Sequence, residues 1–207
     1  MMQYVPPVIK INPLWENISI MGTNQTGKTT LARELVRRWR LQFNIAVYDP
    51  HGYENLERGF TQIAPECVKH TNLEITGKGL EIIQPHIDSK KFFDGFCNKV
   101  MTLRNLITFM DELHNNASKH RTEKSLDLLA RNCNNRNIGY VAIFQRPAEI
   151  PNYILANSTH RFFFFMDLVS DRKFIENWTG VTGLDTLNQL EYFYQRRGSQ
   201  NILRLRV

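Results

Sequence analysis

A chain of 207 residues with 42% hydrophobic and 22% charged content has enough apolar material for one well-filled α/β core and is short for two. Its formal charge of +6 is compatible with a polyanionic partner without establishing one. The longest apolar run, "FFFFM" at 162–166, is far too short for a membrane span, and prolines interrupt the N-terminal stretch where a secretion signal needs an unbroken apolar segment.

In chain order, "ENISIMG" predicts a buried strand, and residues 28–42 a helix with Leu31, Leu35 and Trp39 at spacings of four. "NIAVYDPHG" predicts a second strand ending in a turn, and "GLEIIQP" a short third. Residues 88–103 predict a helix capped by Asp88. "NLITFMDE" follows as a strand, "EKSLDLLARNCNN" as a helix, "IGYVAIFQRP" as a strand closed by proline, and "HRFFFFMDL" as another strand. "DRKFIENW" and "LDTLNQL" predict short helices. "EYFYQRRG" and "NILRLRV" predict a terminal hairpin around Gly198. Strands that are nearly continuous apolar runs, alternating with helices, describe a mainly parallel sheet covered on both faces. No Gly/Ser/Pro-rich linker divides the chain, so the expectation is one domain. It comprises an N-terminal extension (1–17), a core (18–165), and C-terminal helices and hairpin (166–207).

The glycines of "GTNQTGKTT" carry the first chemistry. Gly22, Gly27, Lys28 and Thr29 satisfy G-x-x-x-x-G-K-[ST], the phosphate loop. Glycines let the backbone curl so that N–H groups converge on phosphate oxygens, and the following helix adds the positive end of its dipole. Gly22, Thr23, Asn24, Gln25, Thr26, Gly27, Lys28, Thr29 and Thr30 are the predicted nucleotide-binding residues. Lys28 would reach the terminal phosphates of ATP and the Thr29 hydroxyl would ligate Mg2+. In "LITFMDE", Asp111 ends an apolar strand and would hold Mg2+ through water; Glu112 is placed to polarise an attacking water. An Asp-Glu pair points to hydrolysis, because transfer to a hydroxyl acceptor has less use for a water-activating glutamate. "DPHG" at 49–52 also fits D-x-x-G, but no N-K-x-D follows anywhere, which argues against a GTPase.

Together "GTNQTGKTT", "VYDPHGYEN", "LITFMDELHN" and "GYVAIFQRPAEIP" resemble the FtsK–HerA superfamily of RecA-like P-loop motor ATPases. The likeness is greatest to its short viral branch, the genome-packaging ATPases of icosahedral viruses with internal membranes, and runs from about residue 18 to 165. The resemblance implies that Gln145 senses the γ-phosphate. It also implies a homo-oligomeric ring, usually a hexamer, in which an arginine reaches the neighbour's nucleotide; Arg136 is the first candidate and Arg131 the second. By the same resemblance the partners would be double-stranded DNA, contacted through phosphates, and a capsid vertex or membrane protein, with the protein found in host cytoplasm and virion.

DNA-contact candidates are the central-channel loops and Arg196, Arg197, Arg204 and Arg206 of the tail, although for the tail a solvated hairpin is the favoured reading. The six histidines form no H-x-x-x-H or H-E-x-x-H set; His51 and His114 fall on loops near the nucleotide end without a derivable role. Cys67, Cys97 and Cys133 are too widely spaced for a zinc ribbon or disulfide framework. Two other readings stand beside the DNA-translocating ATPase: a P-loop nucleotide or nucleoside kinase, and a nucleotide-dependent virion assembly factor without DNA translocation.

Overall fold

Near-continuous apolar strands can be buried only if both faces of their sheet are covered, and the chain folds that way. A computed structural model describes residues 9–49, 61–62, 80–83, 90–119 and 124–207. The strands are β1 (Asn17–Met21), β2 (Asn44–Asp49), β3 (Thr61–Gln62), β4 (Leu80–Ile83), β5 (Leu106–Met110), β6 (Ile138–Phe144), β7 (Ser158–Phe164), β8 (Glu191–Arg196) and β9 (Ile202–Arg206). They form one sheet in the order β3-β4-β2-β5-β6-β1-β7-β8-β9. All neighbours from β3 through β7 pair in parallel, and β7-β8-β9 pair antiparallel.

The period of two distributes each strand between two cores. Leu106 and Met110 of β5 go to one, Ile107 and Phe109 to the other. Helices α2 (Lys90–Val100), α3 (Lys124–Asn132), α4 (Asn152–Asn157) and α5 (Val169–Thr179) cover the first face, contributing Phe93, Phe96, Leu126, Leu129, Ile154 and Ile175. On the second face α1 (Lys28–Trp39) buries Leu31, Leu35 and Trp39, the predicted stripe, together with Ala32 and Val36. Each fully buried large side chain stabilises by about 1.5–3 kcal/mol, so this stripe clamps the helix, and with it the loop that precedes it, to the sheet.

Most predicted elements form, and the departures have local causes. The 187–190 part of "LDTLNQL" is not helical: only Leu184–Thr186 makes a 3-10 turn. Leu187 turns extended and the Leu190 N–H bonds instead to Thr26 O at 2.9 Å, so a tertiary contact overrides helix propensity. Helix α4 was not expected; its six residues are too few to show a helical period behind Pro151. The Asp88 cap and the Pro50, His51 and Gly52 part of D-P-H-G lie outside the described residues. The terminal hairpin forms as expected, with Gly198 at φ +79°.

Candidate functional site

In a parallel sheet every strand delivers its carboxyl end to the same edge, which is where ligands bind in open α/β folds. Here that edge receives the phosphate loop from β1, Asp111 and Glu112 from β5, and Gln145 from β6. Because β6 lies between β1 and β5, with Met21 opposite Phe144 and Met110 opposite Ala142, Gln145 stands between the loop and the acidic pair. A cleft of about 610 Å3 opens there, lined by the loop, Glu112 and Gln145 among others.

The loop's shape depends on its two glycines. Gly22 has φ +151° and a Cβ there would stand 2.6 Å from the Phe164 Cβ; Gly27 has φ +116° with Leu190 and Phe164 atoms about as close as contact permits. Gly27 is also the N-cap of α1, with no side-chain cap bond. The first-turn N–H groups of α1 therefore have no partner within the helix and face the cleft with the dipole's positive end. The loop is tied from behind: Thr23 N donates to Phe165 O at 2.9 Å, and Thr26 Oγ1 to Thr23 O at 2.8 Å. Lys28 Nζ folds over the loop and donates to Thr23 O at 2.6 Å.

Across the cleft Glu112 has φ +49°, a left-handed backbone that side-chain-bearing residues seldom adopt and that is concentrated at functional sites. Its carboxylate accepts from Gln145 Nε2 at both oxygens, at 2.9 and 2.8 Å, and lies 3.2 Å from His114 Nε2. His114 Nδ1 is buried with no hydrogen-bond partner. Asp111 is buried; its Oδ1 accepts from the Glu112 N–H at 2.9 Å.

Electrostatics set the charge states. Burial, then the carboxylates of Glu112 and Asp49, push the Asp111 carboxyl up to about 7, against the Glu112 N–H and Lys28. Burial lowers the Lys28 ammonium, opposed by Glu112 and Asp111. The His114 imidazole is also lowered, chiefly by burial, and favours its neutral form. The donor set suits a hard cation: a Mg2+ ion would rest on the Thr29 hydroxyl, on water held by Asp111 and on the nucleotide's own oxygens. Among the described residues no group of three or more His, Cys, Asp or Glu could hold a metal by itself, so the nucleotide would have to bring part of the coordination.

The remaining predicted residues lie elsewhere. Arg136 is half-buried in the 3-10 turn that precedes β6, at the sheet edge opposite the loop and away from this chain's own cleft. Arg131 is exposed and paired with Asp127 at 2.6 Å. Arg146, beside Gln145, binds the buried Asp171 of α5 at 2.9 Å, which fixes the end of β6. Three of the four tail arginines are engaged within the chain: Arg196 with Glu16, Arg197 with Ala156 O, and Arg204 with Glu191. Sequence reasoning missed Gln189 and Leu190, which hold the phosphate loop from 164 residues away, and no local signal marks them.

Neither a scan against protein-family models nor a search of curated proteins finds a match. Solved structures do. The genome packaging NTPase B204 from Sulfolobus turreted icosahedral virus 2, in complex with ATP-gammaS, superposes with a TM-score of 0.74 at 13% identity, covering 94% of this chain and 98% of that one. VirB4 of Thermoanaerobacter pseudethanolicus gives 0.66 at 11% identity, covering 94% and 92%. The bacterial conjugative coupling protein TrwBdeltaN70 gives 0.70 at 11%, covering 94% and 85%. At these identities the likeness shows the fold, which is the RecA-like P-loop fold that the FtsK–HerA resemblance implied.

Proposed function

We propose that the chain is a Mg2+-dependent ATPase that moves double-stranded DNA, and that its task is to package a viral genome into a preformed capsid. The observation that carries the hydrolytic part is the placement of Glu112, Gln145 and the phosphate loop around one cleft. The loop N–H groups and Lys28 hold the triphosphate and offset charge as it develops on the transferring phosphoryl group. The Glu112 carboxylate, which lines the cleft, takes the proton of the attacking water. Gln145 holds that carboxylate until a γ-phosphate oxygen competes for its amide, so nucleotide arrival and release of the base are one event. A Mg2+ ion held by the Thr29 hydroxyl and by water on Asp111 would supply Lewis-acid neutralisation of phosphate charge.

The DNA part rests on fold and motif likeness to proteins described as a genome packaging NTPase and a conjugative coupling protein. The ring assembly, the action of Arg136 in trans, the capsid-vertex partner and the location in host cytoplasm and virion belong to the same proposal. No helix among the described residues is long and apolar enough to cross a membrane.

Phosphate release by the purified chain, with and without double-stranded DNA across a salt series, tests both parts. Turnover that DNA stimulates, that weakens with salt and that is lost in Lys28→Ala and Glu112→Gln supports the motor, because phosphate-backbone contacts are strongly salt-dependent. Turnover indifferent to DNA and salt rejects translocation by the chain while leaving hydrolysis intact.

A further inference from the structure

Away from the carboxylates, the nucleotide cleft is walled by Arg33, Gln189 and Leu190. Leu190 has φ +68°, a conformation in which a bulky residue is an outlier and which persists only where the surroundings over-determine it. Here they do: Leu190 N donates to Thr26 O and Val207 N donates to Leu190 O, each at 2.9 Å. The side chain is thereby held against the phosphate loop, its Cδ2 3.0 Å from where a Cβ on Gly27 would stand, yet it stays partly exposed to the cleft.

Arg33 lines the same cleft. It lies about one and a half turns of α1 beyond Lys28, past the phosphate cradle. Its Nε is buried without a hydrogen-bond partner, and among the described residues no carboxylate pairs with its guanidinium; the neighbouring Glu34 is committed to Arg37 and Arg38. On its other side Arg33 borders an apolar-floored groove of about 550 Å3. A planar cation without an ion-pair partner among the described residues therefore lines the same cleft as a strained aliphatic side chain, beyond the phosphate loop. The Gln189 amide lines the same cleft, and its Nε2 already donates to Gln25 O at 3.3 Å.

We propose that Arg33 and Leu190 form a slot that grips the base of a purine nucleoside triphosphate by its two faces, without reading the base's edge. This rests on the nucleotide-binding part of the function proposed above. Guanidinium planes stack on aromatic faces and a branched aliphatic group packs on the other, so affinity follows ring area. With Gln189 engaged, adenine and guanine are accepted alike, and the smaller pyrimidines bind less well.

Equilibrium affinities of ATP, GTP, CTP and base-free ribose 5-triphosphate test the slot, measured by calorimetry on the intact chain, its Arg33→Ala, Arg33→Lys and Leu190→Gly variants, and Lys28→Ala. The expected result is ATP and GTP within about threefold of each other, and each about tenfold tighter than the base-free compound, the gain that one desolvated cation–π face supplies. Arg33→Ala and Arg33→Lys should bring ATP to the affinity of ribose triphosphate, with that affinity itself unchanged, since the lysine keeps the charge and loses the plane. Leu190→Gly should do the same; glycine takes the φ without strain, so the loop stays in place.

Equal binding of ATP and ribose triphosphate by the unaltered chain overturns the slot while leaving the phosphate site standing. So does equal weakening of both ligands in the variants, or a preference between ATP and GTP beyond about tenfold, which would mean that the edge is read. If no triphosphate binds and Lys28→Ala changes nothing, the nucleotide reading itself fails and the slot with it.

Discussion

Two glutamate–histidine pairs stand at opposite edges of the same sheet and are held in different ways. At the amino end of β1, Glu16 accepts from the Asn12 N–H at 2.7 Å and from Arg196 at 2.8 Å, and lies 3.1 Å from His160 Nε2, a contact too poorly aligned to count as a hydrogen bond. His160 is fully buried and its Nδ1 is 2.8 Å from the Tyr194 hydroxyl. At the carboxyl end of β5, Glu112 has a left-handed backbone, a neutral amide as its main partner and a histidine whose second nitrogen is unpaired. The first carboxylate is secured by a backbone N–H and a cation, which nothing in the cleft can displace. The second is secured by a side-chain amide that a phosphate can take. Each histidine has one nitrogen without a hydrogen bond, so the difference lies in the carboxylates. One held by a backbone N–H and an arginine serves the fold, whereas one on a strained backbone, held by a side-chain amide at a cleft, marks a place where something else binds.

The widest test of this contrast pairs Glu112→Gln with Glu16→Gln. Glu112→Gln should lower the rate of phosphate release by about 10²–10⁴-fold with little change in thermal midpoint. Glu16→Gln should do the reverse, and matching losses of stability in the two variants would erase the distinction. Next in size, Gln145→Ala should reduce turnover by about 10²-fold while nucleotide affinity, followed by calorimetry, stays the same. An unchanged rate would remove Gln145 from the chemistry. His160→Ala should cost about 2–3 kcal/mol in urea unfolding, from lost packing and an orphaned Tyr194 hydroxyl, without touching the ATPase constants.

A pH series sharpens the same comparison. Burial is the largest influence on His160 and holds it below the usual histidine value despite Glu16. Its folded-state pKa therefore lies below its unfolded one. The stability it contributes is fully present above pH of about 6.5 and is lost as pH falls through the folded value. For Glu16, burial acts to raise the pKa but is outweighed by the Asn12 N–H, His160 and Arg196, so its contribution also disappears on acidification, at lower pH. Urea midpoints should fall from pH 7 to 5, and His160→Gln should flatten that slope. A slope unaffected by the substitution would place the acid sensitivity elsewhere. The smallest effect belongs to Arg196→Ala: its side chain is 60% exposed, so the loss should stay under about 1 kcal/mol and shrink further in salt.

The phosphate-loop motif was legible because it is contiguous: eight residues, from Gly22 to Thr29, contain both the turn-making glycines and the lysine and threonine proposed to bind phosphate and metal. Asp111 and Glu112 were legible for a related reason, being acids at the end of an apolar strand. The strands showed as nearly continuous apolar runs, and helix α1 in the four-residue spacing of Leu31, Leu35 and Trp39. The hairpin showed in Gly198 between two alternating runs. The 187–190 segment was misread as helix because its composition permits one; only the bond from Leu190 N to Thr26 O excludes it. The tail arginines looked like a basic patch, yet Arg196, Arg197 and Arg204 serve intrachain contacts that charge counting does not reveal.

Residue order alone thus supplied the local pieces: a phosphate-loop motif, an acid pair, a strand-end glutamine and an alternation that makes a parallel sheet. Which of these groups meet was decided by strand order. Gln145 reaches Glu112 because β6 lies between β1 and β5, and Leu190 reaches the loop because the antiparallel hairpin extends the sheet past β7. Periodicity reports which face of an element is apolar and is silent on which element lies beside it. Contacts between residues far apart in the chain follow from burying all those faces at once, and that condition is met only by the folded whole.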